Sequence, residues 1–374
     1  MAIVKLVVAF FLSLTTILAP YFQFLFKGAD FIYEDWSETD EFTADYAFTL
    51  KKDPDKDFVI VNFADIQLSD DEIFGEDGEF AKMLIKKSIE ESKPDLITLT
   101  GDNASGDVTY IELVKYLDSF GIPWAPTMGN HDGGNGNTLH EAWDSYIISE
   151  AKNCLYKPGP KGMGNGNYII NITENGDIIH SIFMMDSHSD AGDNDNGIIN
   201  RGPNGETGYD HLWADQIKWY EWAVKGIEKL AGHPVQSSAF MHIPVIEFRT
   251  ARDTMCDFEY GVNEEGQTVK VKAIPKAEYT DAFGSIEEGG AAICSPEGNN
   301  GFFALAKELG STKDMIFGHD HKNNMSIVYD GIRLSFSLKS GRGSYSMDSM
   351  NGWSTLSIDS NGKTEFAHHS VFDN

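Results

Sequence analysis

Five short polar clusters run along this chain in a fixed order. They are Asp65-Ile66-Gln67, Gly101-Asp102-Asn103, Gly129-Asn130-His131-Asp132, His242 within Phe240-Met241-His242-Ile243-Pro244, and Gly318-His319-Asp320-His321. Together they offer carboxylate, amide and imidazole groups. This donor set suits two divalent cations about 3.5 Å apart, and such a pair can hydrolyse a phosphate ester. Any one cluster alone carries little weight, since Gly-Asp pairs and lone histidines are common in long chains.

Their common placement carries more. The runs from Phe58 to Ala64, Leu96 to Thr100, Ser238 to Met241 and Met315 to Phe317 are short, apolar and rich in β-branched and aromatic residues, and each stops at a cluster. Open α/β sheets bind ligands beyond their strand ends. The elements that must position the clusters are therefore strands, with helices between them. Phe80 to Glu91, Val108 to Phe120, Trp213 to Leu230 and Phe302 to Leu309 space their apolar residues near 3.6 and predict those helices. Ala231-Gly232 follows Leu230 as a stop signal, with Lys229 in the last turn.

The clusters resemble the D-x-[H/Q], G-D-x, G-N-H-[D/E], lone His and G-H-x-H pattern of the calcineurin-like metallophosphoesterases, from about Asp57 to the C-terminus. His242-Ile243-Pro244-Val245-Ile246-Glu247, Asn300-Gly301-Phe302-Phe303, Lys322-Asn323 and the stretch from Gly208-Tyr209-Asp210 to Tyr220 look like the plant and fungal branch near purple acid phosphatase 29. The resemblance implies an α/β fold of two packed mixed β-sheets flanked by helices, a four-layer sandwich. It also implies roles. Asp102 would bridge two ions, because a carboxylate can place one anionic oxygen near each. Asp65, Gln67 and His321 would complete the first site, and Asn130, His242 and His319 the second. His131 would stabilise developing charge or protonate the leaving group, with Asp132 holding its imidazole. Asn103 and Arg342 are candidate substrate contacts. The mixed N and O donors suit Mn, Fe, Zn or Co and leave the choice among them open.

Two positions depart from better-known relatives. Gln67 stands where most of the family has His, and its amide oxygen is a harder, usually weaker donor. Similar Asp-x-Gln forms occur in manganese-dependent diphosphatases. Ser105 stands where true purple acid phosphatases carry a tyrosinate ligand, so a charge-transfer Fe(III) site is not expected.

The chain has 374 residues, 41% of them hydrophobic, enough for the core of one large α/β domain. That domain is expected over 57–374, with an irregular, charged elaboration over 248–291 whose Arg249, Arg252, Lys270, Lys272 and Lys276 are available to a substrate anion. The bland alternative for this region is a solvated loop and hairpin. Asp190, Asp193 and Asp195 invite a calcium-site reading but lack the spacing and closing Glu of an EF-hand loop. Trp143, Tyr168 and Tyr209 are aromatics that could stack on a nucleobase or simply fill the core.

Residues 6–26 contain no charge, and Lys27 follows them. Residues 1–27 therefore read as a signal peptide or a membrane anchor, and 28–56 as an acidic linker or N-terminal extension. An extracytoplasmic protein, secreted or anchored by this segment, is expected. Cys154, Cys256 and Cys294 permit one disulfide, with Cys256 and Cys294 as the first pairing considered. No cysteine falls inside a cluster, which disfavours a thiol nucleophile. The net charge of −29 argues against general nucleic-acid binding. The expected partner is a small phosphorylated substrate. The leading reading is a dimetal-dependent phosphomonoesterase, in which metal-activated hydroxide attacks phosphorus in line. A phosphodiesterase or nucleotide pyrophosphatase is the runner-up. A metal-containing binding protein with weak catalysis is the alternative from another class.

Overall fold

The computed structural model describes residues 33–132, 150–189 and 208–372. The segment 1–27, the acidic run from Asp190 to Asn200, the glycine-rich residues after Asp132 and Trp143 lie outside them.

A five-stranded sheet is built from β2 (Phe58–Phe63), β3 (Leu96–Thr100), β4 (Trp124–Thr127), β13 (Gly352–Ile358) and β14 (Thr364–Ser370), in the order β14-β13-β2-β3-β4. The strands β2, β3 and β4 are parallel neighbours. Every residue of β3 is buried, so its sequence is apolar or small on both faces, as a strand covered on both sides requires. The seven-stranded sheet contains β1 (Ala47–Lys51), β5 (Tyr168–Glu174), β6 (Asp177–Met184), β7 (Gln236–Met241), β10 (Thr312–Phe317), β11 (Ser326–Tyr329) and β12 (Ile332–Phe336), in the order β1-β5-β6-β7-β10-β12-β11. Here β7 and β10 run parallel, side by side.

One core joins the two sheets, with Phe63 and Leu99 from the first and Ile170, Ile182, Met184, Phe240 and Ile316 from the second. The helices α1 (Glu76–Ser92) and α2 (Asp107–Asp118) close the outer face of the five-stranded sheet through Leu84, Ile85, Tyr110 and Ile111. A second core lies on the outer face of the seven-stranded sheet. There α3 (Ala214–Ala231), α4 (Glu247–Met255) and α5 (Phe302–Leu309) pack Trp219, Tyr220, Phe248 and Phe302 against Phe183, Met241, Met315 and Phe317. The result is a four-layer α/β/β/α sandwich. Each fully buried large apolar side chain contributes about 1.5–3 kcal/mol to holding it.

The predicted helices match α1, α2, α3 and α5 to within a few residues at each end. Gly232 takes φ 79° as the α3 cap, the left-handed conformation that glycine tolerates best. The stretch read as an acidic linker differs from that expectation. From Trp36 onward it packs on the domain: Phe42 is 8% exposed, Trp36, Phe42 and Tyr46 surround Trp222, and β1 pairs in parallel with β5. Its aromatic residues outweigh its acidic composition because they find a complementary face on α3.

Residues 248–291 are more regular than expected, comprising α4 and an antiparallel hairpin of β8 (Cys256–Val262) and β9 (Thr268–Pro275). Its cations are engaged locally. Arg249 binds Glu297 and the carbonyls of Ile293 and Ser295, and Arg252 binds Asp253 and the Ala291 carbonyl. Lys272 pairs with Glu287, Lys276 donates to the Thr254 carbonyl, and Lys270 lies 3.6 Å from the centre of the Phe258 ring. The disulfide expectation is also corrected. Cys154, Cys256 and Cys294 form no disulfide, and Cys256 Sγ contacts Met325 Sδ at 3.6 Å inside the outer core. Among the described residues, no helix is long and apolar enough to cross a membrane.

Candidate metal centre

Strands from both sheets deliver the five clusters to one edge of the sandwich. Asp65 follows β2, Asp102 follows β3, Asn130 and His131 follow β4, His242 follows β7, and His319 and His321 follow β10. The chain must turn sharply at these ends, and several donor residues hold left-handed backbone to do so: Asp65 at φ 54°, Gln67 at 47°, Asp102 at 50° and His319 at 79°. Non-glycine residues pay about 1 kcal/mol or more for this conformation, and such strain concentrates at functional sites. The cluster glycines serve close approach. A Cβ on Gly318 would lie 2.8 Å from the Thr100 carbonyl oxygen and 2.9 Å from Asp65 Oδ2.

Asp65, Asp102 and His242 are buried and offer ligand atoms within 4.8 Å of one another. His242 Nδ1 lies 2.8 Å from the Thr100 carbonyl. That carbonyl can only accept, so Nδ1 carries the hydrogen and Nε2 is turned inward. Around Nε2 lie Asn130 Oδ1 at 3.0 Å, His319 Nδ1 at 3.1 Å and Asp102 Oδ1 at 3.3 Å. His321 is oriented the same way. Its Nδ1 donates to the Tyr345 carbonyl at 2.9 Å, and its Nε2 faces Asp65 Oδ1 at 3.6 Å. Gln67 Nε2 donates to Asp102 Oδ2 at 3.1 Å, and its buried Oε1 has no partner.

These lone pairs converge without enough hydrogens between them. A cation satisfies them, and in its absence a proton must. The charges follow. Burial alone would lower His242, but the carboxylates of Asp102 and Asp65 raise it above the usual imidazole range. Burial would raise Asp65, but His321, His242 and Lys339 hold it well below the usual carboxylate range. His319 is pushed far down by burial and then by the charge of His242. The unpartnered Gln67 oxygen, the oriented imidazoles and the two buried carboxylates fit a pair of divalent ions.

His131 is exposed at the rim, and its backbone N–H donates to Asp102 Oδ1 at 2.8 Å. Three of the expected roles change. Asp132 is wholly buried, and its carboxylate is committed to donors of the β3 and β4 loops. Its Oδ1 accepts from the N–H groups of Asn103 (2.7 Å) and Ala104 (3.1 Å), and its Oδ2 from Gly129 N–H (2.7 Å) and Asn103 Nδ2 (3.0 Å). It ties the β3 loop to the β4 loop. Burial, then the charge of Asp102, push its carboxyl up to about 7, against the pull of those donors. Asn103 is likewise buried, and its Nδ2 donates to Asp132 and to the Thr127 carbonyl, which makes it part of this tie. Arg342 stacks 4.1 Å from the Phe80 ring centre and meets Asp348 at 3.6 Å. Its guanidinium is anchored on α1, and none of these partners belongs to the cluster.

Sequence reading missed Lys339, which is buried beneath Asp65 and donates to its carbonyl at 2.6 Å. The available signal was a lone lysine closing the run Leu334-Ser335-Phe336-Ser337-Leu338. Tyr209 and Tyr345 also line the centre, with ring centroids 4.3 Å from those of His319 and His321 respectively. Tyr168, by contrast, is a core residue.

The calcineurin-like phosphoesterase family profile matches residues 58–259, a span that includes Asp65 through His242. The chain is 27% identical over 281 residues to the protein named "Probable inactive purple acid phosphatase 14" of Arabidopsis thaliana, covering 70% of this chain and 62% of that protein. It is 24% identical over 279 residues to "Probable inactive purple acid phosphatase 29" of the same plant, covering 68% of this chain and 61% of that protein. The match thus spans less than two thirds of either relative. Among solved structures, a dimetal phosphatase from Danio rerio aligns with a TM-score of 0.49 at 10% identity, over 84% of this chain and 96% of that one. The family match extends over more than half of the sequence, and by it the chain belongs to the calcineurin-like phosphoesterases.

Proposed function

We propose that this protein is an active dimetal phosphomonoesterase. The observation that carries the reading is the convergence of Asp102, His242 and Asn130 beside Asp65 and an unpartnered Gln67 oxygen. Asp65, Gln67, Asp102 and His321 would hold one ion, and Asp102, Asn130, His242 and His319 the other. When bound, such a pair supplies an activated water and neutralises phosphoryl charge. The chain's own residues do the rest. The Thr100 and Tyr345 carbonyls fix the two imidazoles, the His131 N–H holds Asp102 in place, and the exposed His131 ring is free to protonate a leaving alkoxide. Mn, Fe, Zn or Co suit the donors. The substrate is a small phosphorylated molecule met by one catalytic domain over 57–374, against which residues 34–56 pack as an added edge. An N-terminal segment 1–27 that exports or anchors the chain completes the reading.

The test is hydrolysis of p-nitrophenyl phosphate and bis-p-nitrophenyl phosphate, in parallel, by the purified chain reconstituted with Mn, with Asp102→Asn as the blank. Monoester turnover that vanishes in the blank is the expected result. Diester preference would replace the reading with a phosphodiesterase. No turnover of either, with metal bound, would favour a binding protein.

A further inference from the structure

Lys339 and Lys52 are the two buried lysines among the described residues. Lys52 has an ordinary carboxylate partner, Glu174 at 2.6 Å. The Lys339 ammonium instead donates to the main-chain carbonyl of Asp65 at 2.6 Å, and the charges it meets are those of Asp65, Asp102 and Glu72. It reaches this position from a strut fixed at both ends. Ser337 N–H donates to the Phe317 carbonyl of one sheet at 2.8 Å, and Ser340 N–H to the Ala64 carbonyl at the end of the other at 2.7 Å. The lysine is therefore placed by the sandwich itself. Above it, Asp65 and Asp102 are each 1% exposed, and buried carboxylates need a compensating positive charge. Asp65 also keeps a left-handed backbone, and Lys339 grips the carbonyl of that same residue.

We propose that Lys339 is a positioning residue and resident counter-cation of the metal centre, which holds the Asp65 turn and offsets the two buried carboxylates so that the donor cluster is assembled before any metal enters. The inference rests on the metal-centre reading above. Without metal, Lys339 shares with His321 and His242 the compensation that the ions supply once they are bound. Its loss therefore weakens the metal-free chain more than the loaded one, whereas a side chain that merely filled space would weaken both equally.

The test is thermal unfolding of the full chain and its Lys339→Met variant, in EDTA and in saturating Mn, with bound metal counted by mass spectrometry. The Mn-induced rise in Tm is expected to be larger in Lys339→Met than in the unmodified chain, by about 3–6 °C. Equal rises would overturn the proposal. A second comparison needs no metal: in EDTA, adding Asp65→Asn to Lys339→Met removes one of the two carboxylate charges that Lys339 offset and should raise Tm. A fall would overturn the proposal as well. An unmodified chain that binds no Mn, Zn or Fe would sink the metal-centre reading, and the EDTA comparison would still decide the role of Lys339.

Discussion

Gly129 lies directly against Asp102. A Cβ at position 129 would overlap Asp102 Oδ1 and the Asp102 backbone N–H, and would come within 2.9 Å of His242 Cδ2. The glycine of the Gly-Asn-His cluster is thus required by the carboxylate that faces both halves of the centre. Gly129→Ala should abolish metal retention and reduce turnover at least about 100-fold, since small displacements at a reacting centre have effects of that size. Metal content after gel filtration, read with activity, checks this.

His131 is exposed, and the centre uses its backbone N–H, which alanine retains. His131→Ala should keep its metals and its Tm while kcat falls about 10²- to 10⁴-fold, the range of a lost general acid. Loss of metal together with activity would refute this separation.

Asp132 should behave as a structural tie. Asp132→Ala leaves the N–H groups of Asn103, Ala104 and Gly129 unpaired in a buried place, and each such group costs about 1–3 kcal/mol. A fall in urea stability of several kcal/mol is expected. Unchanged stability with an altered pH–rate profile would restore the role of Asp132 as an orienter of His131.

Two histidines away from the centre set an acid limit on the fold. His180 on β6 meets the Gly362 carbonyl and Ser238 Oγ, both at 2.9 Å, and His368 on β14 meets the Asn324 carbonyl and Ser354 Oγ, also at 2.9 Å. Each thereby ties one sheet to the other. Burial lowers both to about 4 from an ordinary 6.5. The unfolded chain then binds more protons than the folded one between those values. Stability is therefore fully present above pH 6.5 and declines as pH falls toward 4, by about 3 kcal/mol for each histidine. Urea titrations of the metal-free chain across this window should show the slope, and His180→Gln should reduce it.

Arg342→Ala should leave catalytic efficiency on a monoester within about 2-fold of the unmodified chain, because the guanidinium is held on Phe80. Its expected cost is at most about 1 kcal/mol of stability from the lost stacking. Steady-state kinetics checks this, and weakened substrate saturation by an order of magnitude would return Arg342 to the substrate.

The groups that the fold gathers at one edge were legible because their chemistry is local: a carboxylate, amide or imidazole directly after an apolar strand run is visible in Asp65, Asp102, Asn130, His242, His319 and His321. The four layers were legible from the same runs and from helical spacing, with the family resemblance supplying the pairing of the sheets. What each polar side chain faces was not legible, because orientation depends on partners far away in sequence. Asp132 sits beside His131 in the chain, yet it turns to backbone N–H groups 28 and 29 residues away. Arg342 reads as a loop cation, but tertiary packing seats it on α1. The acidic composition of 34–56 concealed aromatics that only the face of Trp222 makes cohesive. Lys339, separated by 274 residues from Asp65, becomes part of the centre only when the strut at 337–340 joins the two sheets. Sequence alone determined which groups offer ligand atoms, because that is a property of residue type and local strand ends. The tertiary structure decided which buried charges face one another, because the low dielectric of the interior makes each neighbour count.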